Sequence, residues 1–197
     1  MFSKLALIAI GATLLLVART SAFGGKEKSP EEIHAENLKK AAGKYNNGLK
    51  HMAKARKQEE KSDSLYAFNY RATQDAKARR EYKKAIKDFN KSVEHDPEMF
   101  EAFSDRGYCL RKLGQLKLSL ASYNMALELQ PDYAPALEYR GEAYLALNRP
   151  KDAENALAEL QMLIAGDSTV NVIYVAYSDT LRLAIEKYKL ERFTKAK

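Results

Sequence analysis

The feature that most narrows the fold is a self-match at a shift of 34 residues, which lays Pro97 on Pro131, Arg106 on Arg140, Gly107 on Gly141 and Leu113 on Leu147. The same shift aligns Ala85 with Ser119 and Ala153, and Phe89 with Tyr123 and Leu157. Proline, glycine and small residues at fixed offsets in a period of this length encode one antiparallel helical hairpin per repeat. Each hairpin leaves an apolar face that only its neighbour covers. The expected class is therefore all-α, built by stacking. A chain of 197 residues that is 46% hydrophobic has enough apolar side chain for such a core and is unlike a disordered polymer.

Across residues 100–163 the punctuation resembles the tetratricopeptide repeat (TPR) family. The matching positions are Phe103, Arg106, Gly107, Leu110, Ser119, Tyr123, Ala126 and Pro131, followed by Leu137, Arg140, Gly141, Tyr144, Ala153 and Leu157. Small residues let the helices approach, aromatics fill the gaps and proline opens the next hairpin. Arginine stands twice where the family has leucine, so its stem should pack while its head reaches solvent or an acid. The resemblance implies a right-handed superhelix whose first helices line a concave, peptide-holding groove. It assigns groove roles to Ser104, Tyr108, Arg111 and Lys112, then to Glu138, Glu142 and Leu145, with contributions from Tyr45, Leu49 and Met52. Arg111 and Lys112 are expected to hold an acidic side chain or chain end. Family members that clamp the acidic terminus of heat-shock chaperones use lysine and asparagine where Ser104 and Tyr108 stand here, so that specialisation is not expected.

Upstream, Tyr45-Asn46-Asn47-Gly48 looks like the start of a further repeat, and Ala85, Phe89 and Pro97 match its second half. Leu38, Ala41, Tyr45, Leu49, Met52 and Ala55 form one helical stripe, and Leu65, Phe68, Ala72, Ala76, Tyr82, Ile86, Phe89 and Val93 a second. Ser62-Asp63-Ser64 reads as the turn between them. The expected domain plan is a leader at 1–22, a flexible linker at 23–35, an enlarged first hairpin at 36–96 and two repeats at 97–166. About 25 residues near 56–80 extend the first hairpin, lengthening each helix by roughly 18 Å. The arm carries Lys54, Arg56, Lys57, Arg79, Arg80, Lys83 and Lys84 among ten basic and five acidic residues over 54–84. In 167–197, Val170, Val172, Ile173 and Val175 suggest an extended connection, and Leu181, Ile185 and Tyr188 a capping helix from Ser178.

Residues 1–22 have a short basic start, an apolar run over 5–18 and small residues before Phe23, the layout of a secretory signal. Export to a periplasm or medium is expected, with an uncleaved anchor as the alternative. Charge is segregated: residues 26–91 carry net +8 and residues 92–197 net −3. One cysteine, Cys109, reads as a core residue, and His34, His51 and His95 stand too far apart for metal spacing. No catalytic constellation, metal site or cofactor motif is read, so the chain is not expected to be an enzyme. Two functions remain. One is an exported scaffold holding a peptide or protein in the groove, in envelope assembly. The other is an adaptor whose basic arm meets anionic lipid, polysaccharide or nucleic acid, the last being the weakest candidate because the leader exports the chain. Pairing of copies through an exposed repeat end is also compatible with the sequence.

Overall fold

A computed structural model describes residues 28–63, 68–166 and 172–195. The chain divides into two compact units, Met1–Glu36 and Asn37–Lys197. The expected leader lies outside the described residues. Seven helices, and no strand, occur among the described residues: α1 (Pro30–Asp63), α2 (Phe68–His95), α3 (Phe100–Lys112), α4 (Leu116–Leu129), α5 (Ala134–Ala146), α6 (Pro150–Gly166) and α7 (Val172–Lys195).

Helix α1 starts earlier than the flexible linker at 23–35 would allow, because residues 30–35 are helical. Ser29 and Glu32 explain this. The Ser29 hydroxyl accepts from the Glu32 N–H at 3.1 Å, and the Glu32 carboxylate accepts from the Ser29 N–H at 2.8 Å. This reciprocal cap satisfies two orphan donors, and Pro30 supplies a helical φ at the first position. At its other end α1 runs through Ser62 and Asp63, so these two residues are its last turn and not a loop. The first two helices are 34 and 28 residues long, against 13 to 17 in the four that follow.

Within Asn37–Lys197, α1 and α2 are joined by small and aromatic residues. Ser92 donates to the Ala41 carbonyl at 2.9 Å, and the Tyr45 and Phe89 rings lie 5.8 Å apart. The buried stripe of α2 is Ala78, Tyr82, Ala85 and Phe89. Ala76, expected on that stripe, is exposed, as is Leu38 of α1. Helix α3 packs on α2 and α4, α5 on α4 and α6, and α7 on both α5 and α6. One buried cluster joins Met52, Ala55, Tyr82, Phe89, Cys109 and Leu113, and the other joins Phe103, Leu127, Leu137, Leu160, Leu181 and Ile185. Cys109 is fully buried, and burial pushes its thiol well above the ordinary range.

Close approach is what the repeat glycines provide. A Cβ on Gly48 would lie 2.4 Å from the Phe89 ring, and one on Gly107 would lie 2.5 Å from the Tyr123 ring. On Gly141 it would meet Leu181, at 2.6 Å. The third repeat has Leu157 where its predecessors have Phe89 and Tyr123, and the side chain pressed on Gly141 comes from α7 instead. Helix α7 begins at Val172 in spite of the extended preference of Val172, Ile173 and Val175, and Val170 lies outside the described residues.

Both short hairpins turn through a left-handed residue, Gly114 at φ 78° and Asn148 at φ 61°. The N–H of Gln115 bonds to the Leu110 carbonyl and that of Arg149 to the Tyr144 carbonyl, each at 2.9 Å, closing the preceding helix in the same way. A Cβ at Gly114 would touch nothing within 4 Å. Gly114→Ala should therefore report backbone strain alone, lowering stability by roughly 1–2 kcal/mol in urea denaturation. A loss below the error of the measurement would contradict this account of the turn.

The two arginines in leucine places behave differently. Arg140 reaches an acid, Glu159, at 2.6 Å. Arg106 is partly buried and reaches no acid among the described residues. Its Nε donates to Ser122 at 3.1 Å, one terminal nitrogen donates to Asn90 at 3.2 Å, and the guanidinium lies 4.9 Å from the Phe103 ring centre. Burial lowers its pKa accordingly.

Candidate functional site

Side chains from α1, α2, α3 and α5 of the Asn37–Lys197 unit meet on one face. Its centre is Tyr108. Its ring stands 6.2 Å from Tyr82 and 5.2 Å from Tyr139, with the Arg56 guanidinium 4.6 Å from its centre. Arg56 was expected on the free basic arm; in the structure it lies on this face, because a guanidinium gains from an aromatic ring that leaves it half solvated. Arg111 also lies over two rings, 5.4 Å from Tyr108 and 5.8 Å from Tyr139.

The cations expected to receive an acidic ligand already have carboxylates. Arg111 pairs with Glu142 at 2.5 Å and Lys112 with Glu59 at 2.9 Å. Glu59 additionally accepts from the Tyr82 hydroxyl at 2.9 Å. These pairs tie α3 to α5 and α1. Leu145 packs against the core, and Ser104 is 1% exposed with a hydroxyl that has no partner, so neither is freely presented.

Glu138 is different. It is 5% exposed, yet has no hydrogen-bond or ion-pair partner among the described residues. Burial raises its pKa to about 8, assisted by the Glu142 charge and opposed by Arg111. Asp105 is pushed to about 6, again by burial, although Tyr45 donates to it at 2.9 Å and Arg56 lies near enough to favour its charged form. Glu101 adds like charge to Asp105.

Tyr177 of α7 is near enough to these groups for their charges to act on it. Its pKa is raised by burial first, then by the charges of Glu138 and Asp105, and drawn back by Arg56. Tyr139 feels the same three groups together with Tyr177. Asp105, Tyr139 and Tyr177 were not singled out from sequence. Asp105 and Tyr139 occupy the same place in successive repeats, 34 residues apart, next to Ser104 and Glu138. That register was a usable signal. Tyr177 carried none, because its segment reads as extended.

On the first hairpin, Lys54, Lys57, Arg79, Arg80 and Lys83 are exposed. Lys84 is exposed as well and bonds to Glu81 at 2.7 Å, and Glu81 also meets His51 at 2.7 Å. No group of three or more potential metal ligands occurs among the described residues. No described helix is long and apolar enough to cross a membrane.

Residues 107–148 match the TPR repeat family. Among solved structures, the TPR2AB domain–pHSP90 complex of yeast Sti1 is similar with a TM-score of 0.54 at 19% identity, over 94% of this chain and 57% of that one. The likeness shows a shared fold of stacked helical hairpins. The TPR2B domain–pHsp70 complex of yeast Sti1 gives a TM-score of 0.48 at 20% identity, over 72% of this chain and 97% of that one. Among curated proteins, the peptidyl-prolyl cis-trans isomerase PASTICCINO1 of Arabidopsis thaliana is 29% identical over 100 residues. The match takes in 47% of this chain and 15% of that protein.

Proposed function

We propose that the chain is an interaction scaffold that holds a peptide or protein on the face built by Arg56, Asp105, Tyr108, Glu138, Tyr139 and Tyr177. The observation that carries this reading is the cluster around Tyr108, where the Tyr82 and Tyr139 rings stand 6.2 Å and 5.2 Å away and the Arg56 and Arg111 guanidinium groups lie 4.6 Å and 5.4 Å from its ring centre. Flat amphipathic rings with fixed neighbours supply contact area at small cost in side-chain entropy. The fold shared with the yeast Sti1 complex agrees by analogy, since that protein's domain is described with pHSP90. The acidic chaperone terminus is not favoured here, because Arg111 and Lys112 are already paired.

Photo-crosslinking in the native cell tests the scaffold, with a benzophenone amino acid at Tyr108 in one strain and at Arg79 in another. A discrete protein adduct from position 108 that survives high salt is the expected outcome. Adducts from position 79 alone, lost as salt rises, would replace the scaffold by an adaptor. The exposed cations Lys54, Lys57, Arg79, Arg80 and Lys83 favour that second reading, and exposed charges are screened within about 8 Å at physiological salt. Export and a role in envelope assembly belong to the same proposal, supported by the pattern of residues 1–22. Amino-terminal sequencing of the mature protein should begin at Phe23. A cytoplasmic chain retaining Met1 would remove the envelope setting and leave the scaffold intact.

A further inference from the structure

The start of α6 and the end of α7 border an open cleft of about 690 Å³. Pro150 of α6 and the Tyr188 and Phe193 rings of α7 supply its apolar lining. Two contacts hold its sides together. The Tyr188 hydroxyl donates to the Asn148 side chain, and Lys189 pairs with Glu154 at 2.5 Å. Asn148 is itself the left-handed residue of the turn before α6, so the ring is anchored to a fixed point of the backbone. None of these residues belongs to the face around Tyr108.

The charges lining the cleft do not balance. Lys151, Lys189 and Arg192 stand against one acid, Glu154. Lys189 already neutralises Glu154, which leaves Lys151 and Arg192 without an ion pair among the described residues. Both are exposed, and the Arg192 guanidinium lies 5.8 Å from the Tyr188 ring centre, a contact that leaves its hydrogen-bond donors open. An entering carboxylate therefore meets two uncommitted cations, whereas an entering ammonium meets those same cations and an acid that is already paired. The apolar lining selects further, because a bare inorganic anion would leave Pro150, Tyr188 and Phe193 uncovered. A broad anionic surface such as a membrane is disfavoured on another ground. Residues 92–197 carry net −3, so the surroundings of the cleft repel a charged plane where they admit a single acidic side chain.

We propose that this cleft binds an aspartate or glutamate side chain of a partner protein, with a neighbouring apolar residue of that partner laid against Tyr188 and Phe193. It is a second contact surface, beyond the inner-face reading and independent of it. Lys151 from α6 and Arg192 from α7 donate to the carboxylate, and the Lys189–Glu154 pair keeps the two helices at a fixed separation. Discrimination comes from the same two cations, since a basic residue in that place would be repelled by both.

The test is a cycle run on the full chain. Random peptides displayed on phage are selected on the native protein and counter-selected on the double variant Lys151→Gln, Arg192→Gln. Recovered peptides should share an aspartate or glutamate beside an apolar residue. Replacing that acid by its amide should weaken binding to the native chain about fivefold and leave binding to the double variant unchanged. Peptides with a basic residue in its place, an equal loss for both proteins, or a selection that yields no peptide would overturn the inference. Peptides that bind the double variant equally well and compete with crosslinking at position 108 belong to the inner face; they would overturn the cleft and leave the scaffold reading standing. Phosphatidylglycerol vesicles that sediment the native chain but not the double variant, in the absence of any peptide effect, would replace the protein partner by a membrane and overturn it too. Circular dichroism should show the same fold for both proteins, and Lys151→Gln alone serves should the double variant not fold.

Discussion

Gly107→Ala is expected to lower the unfolding free energy by about 3 kcal/mol, measured by urea denaturation followed by far-ultraviolet circular dichroism. The added methyl would stand 2.5 Å and 2.7 Å from two carbons of the Tyr123 ring and 3.0 Å from a third. No real contact is that short, and the ring has nowhere to retreat, being fully buried with the tilted Tyr139 ring 6.2 Å away. Relief requires either rotation of Tyr123 into its neighbours or separation of α3 from α4. Both disturb the face that carries Tyr108 and Arg111, so peptide binding should weaken as well. Pairing Gly107→Ala with Tyr123→Leu should recover part of the loss, since a smaller side chain can clear the methyl. A single variant within 0.5 kcal/mol of the native chain, on the order of an ordinary surface change, would refute this packing account.

Glu138→Gln is expected to raise stability, and to do so in a pH-dependent way. The carboxyl of Glu138 has its pKa raised to about 8 in the folded protein from an ordinary 4.5. The folded state therefore binds the proton more tightly than the unfolded state. Its favourable contribution is complete below about pH 4.5 and is lost as the pH climbs through about 8. Asp105 acts with the same sign over a lower window, from 3.8 to about 6. Unfolding of the native chain should thus become easier between pH 5 and pH 9, and the glutamine variant should show a shallower slope. At pH 9 the variant should be more stable by about 2–4 kcal/mol, with little difference at pH 5. Parallel curves for the two proteins would show that Glu138 titrates at an ordinary value and is better hydrated than its surroundings indicate.

Much of the architecture is written locally. Gly107, Ser119, Tyr123 and Pro131 announce a helical hairpin because each requirement they meet lies within one repeat: a close approach, a small contact, a filled gap and a helix start. The Ser29–Glu32 cap is equally local, and the reach of α1 back to Pro30 could have been read from it. The start of α7 was hidden for the opposite reason. Val172, Ile173 and Val175 favour extension by themselves, yet the segment is helical, with Leu181 of the same helix against Gly141 of a different repeat.

The same division runs through the candidate site. Tyr108, Arg111 and Glu142 could be nominated from the repeat register, but not the fact that Arg111 and Glu142 neutralise one another across α3 and α5. Arg56 looked like one cation among many on a long charged hairpin until α1 laid it on Tyr108. Hairpin repeats are specified by short-range patterning, since their contacts recur at fixed small separations along the chain. The character of the inner face depends on residues as far apart as Arg56, Asp105, Glu138 and Tyr177. Their meeting depends on how successive hairpins stack, and their charge depends on how much water that stacking excludes.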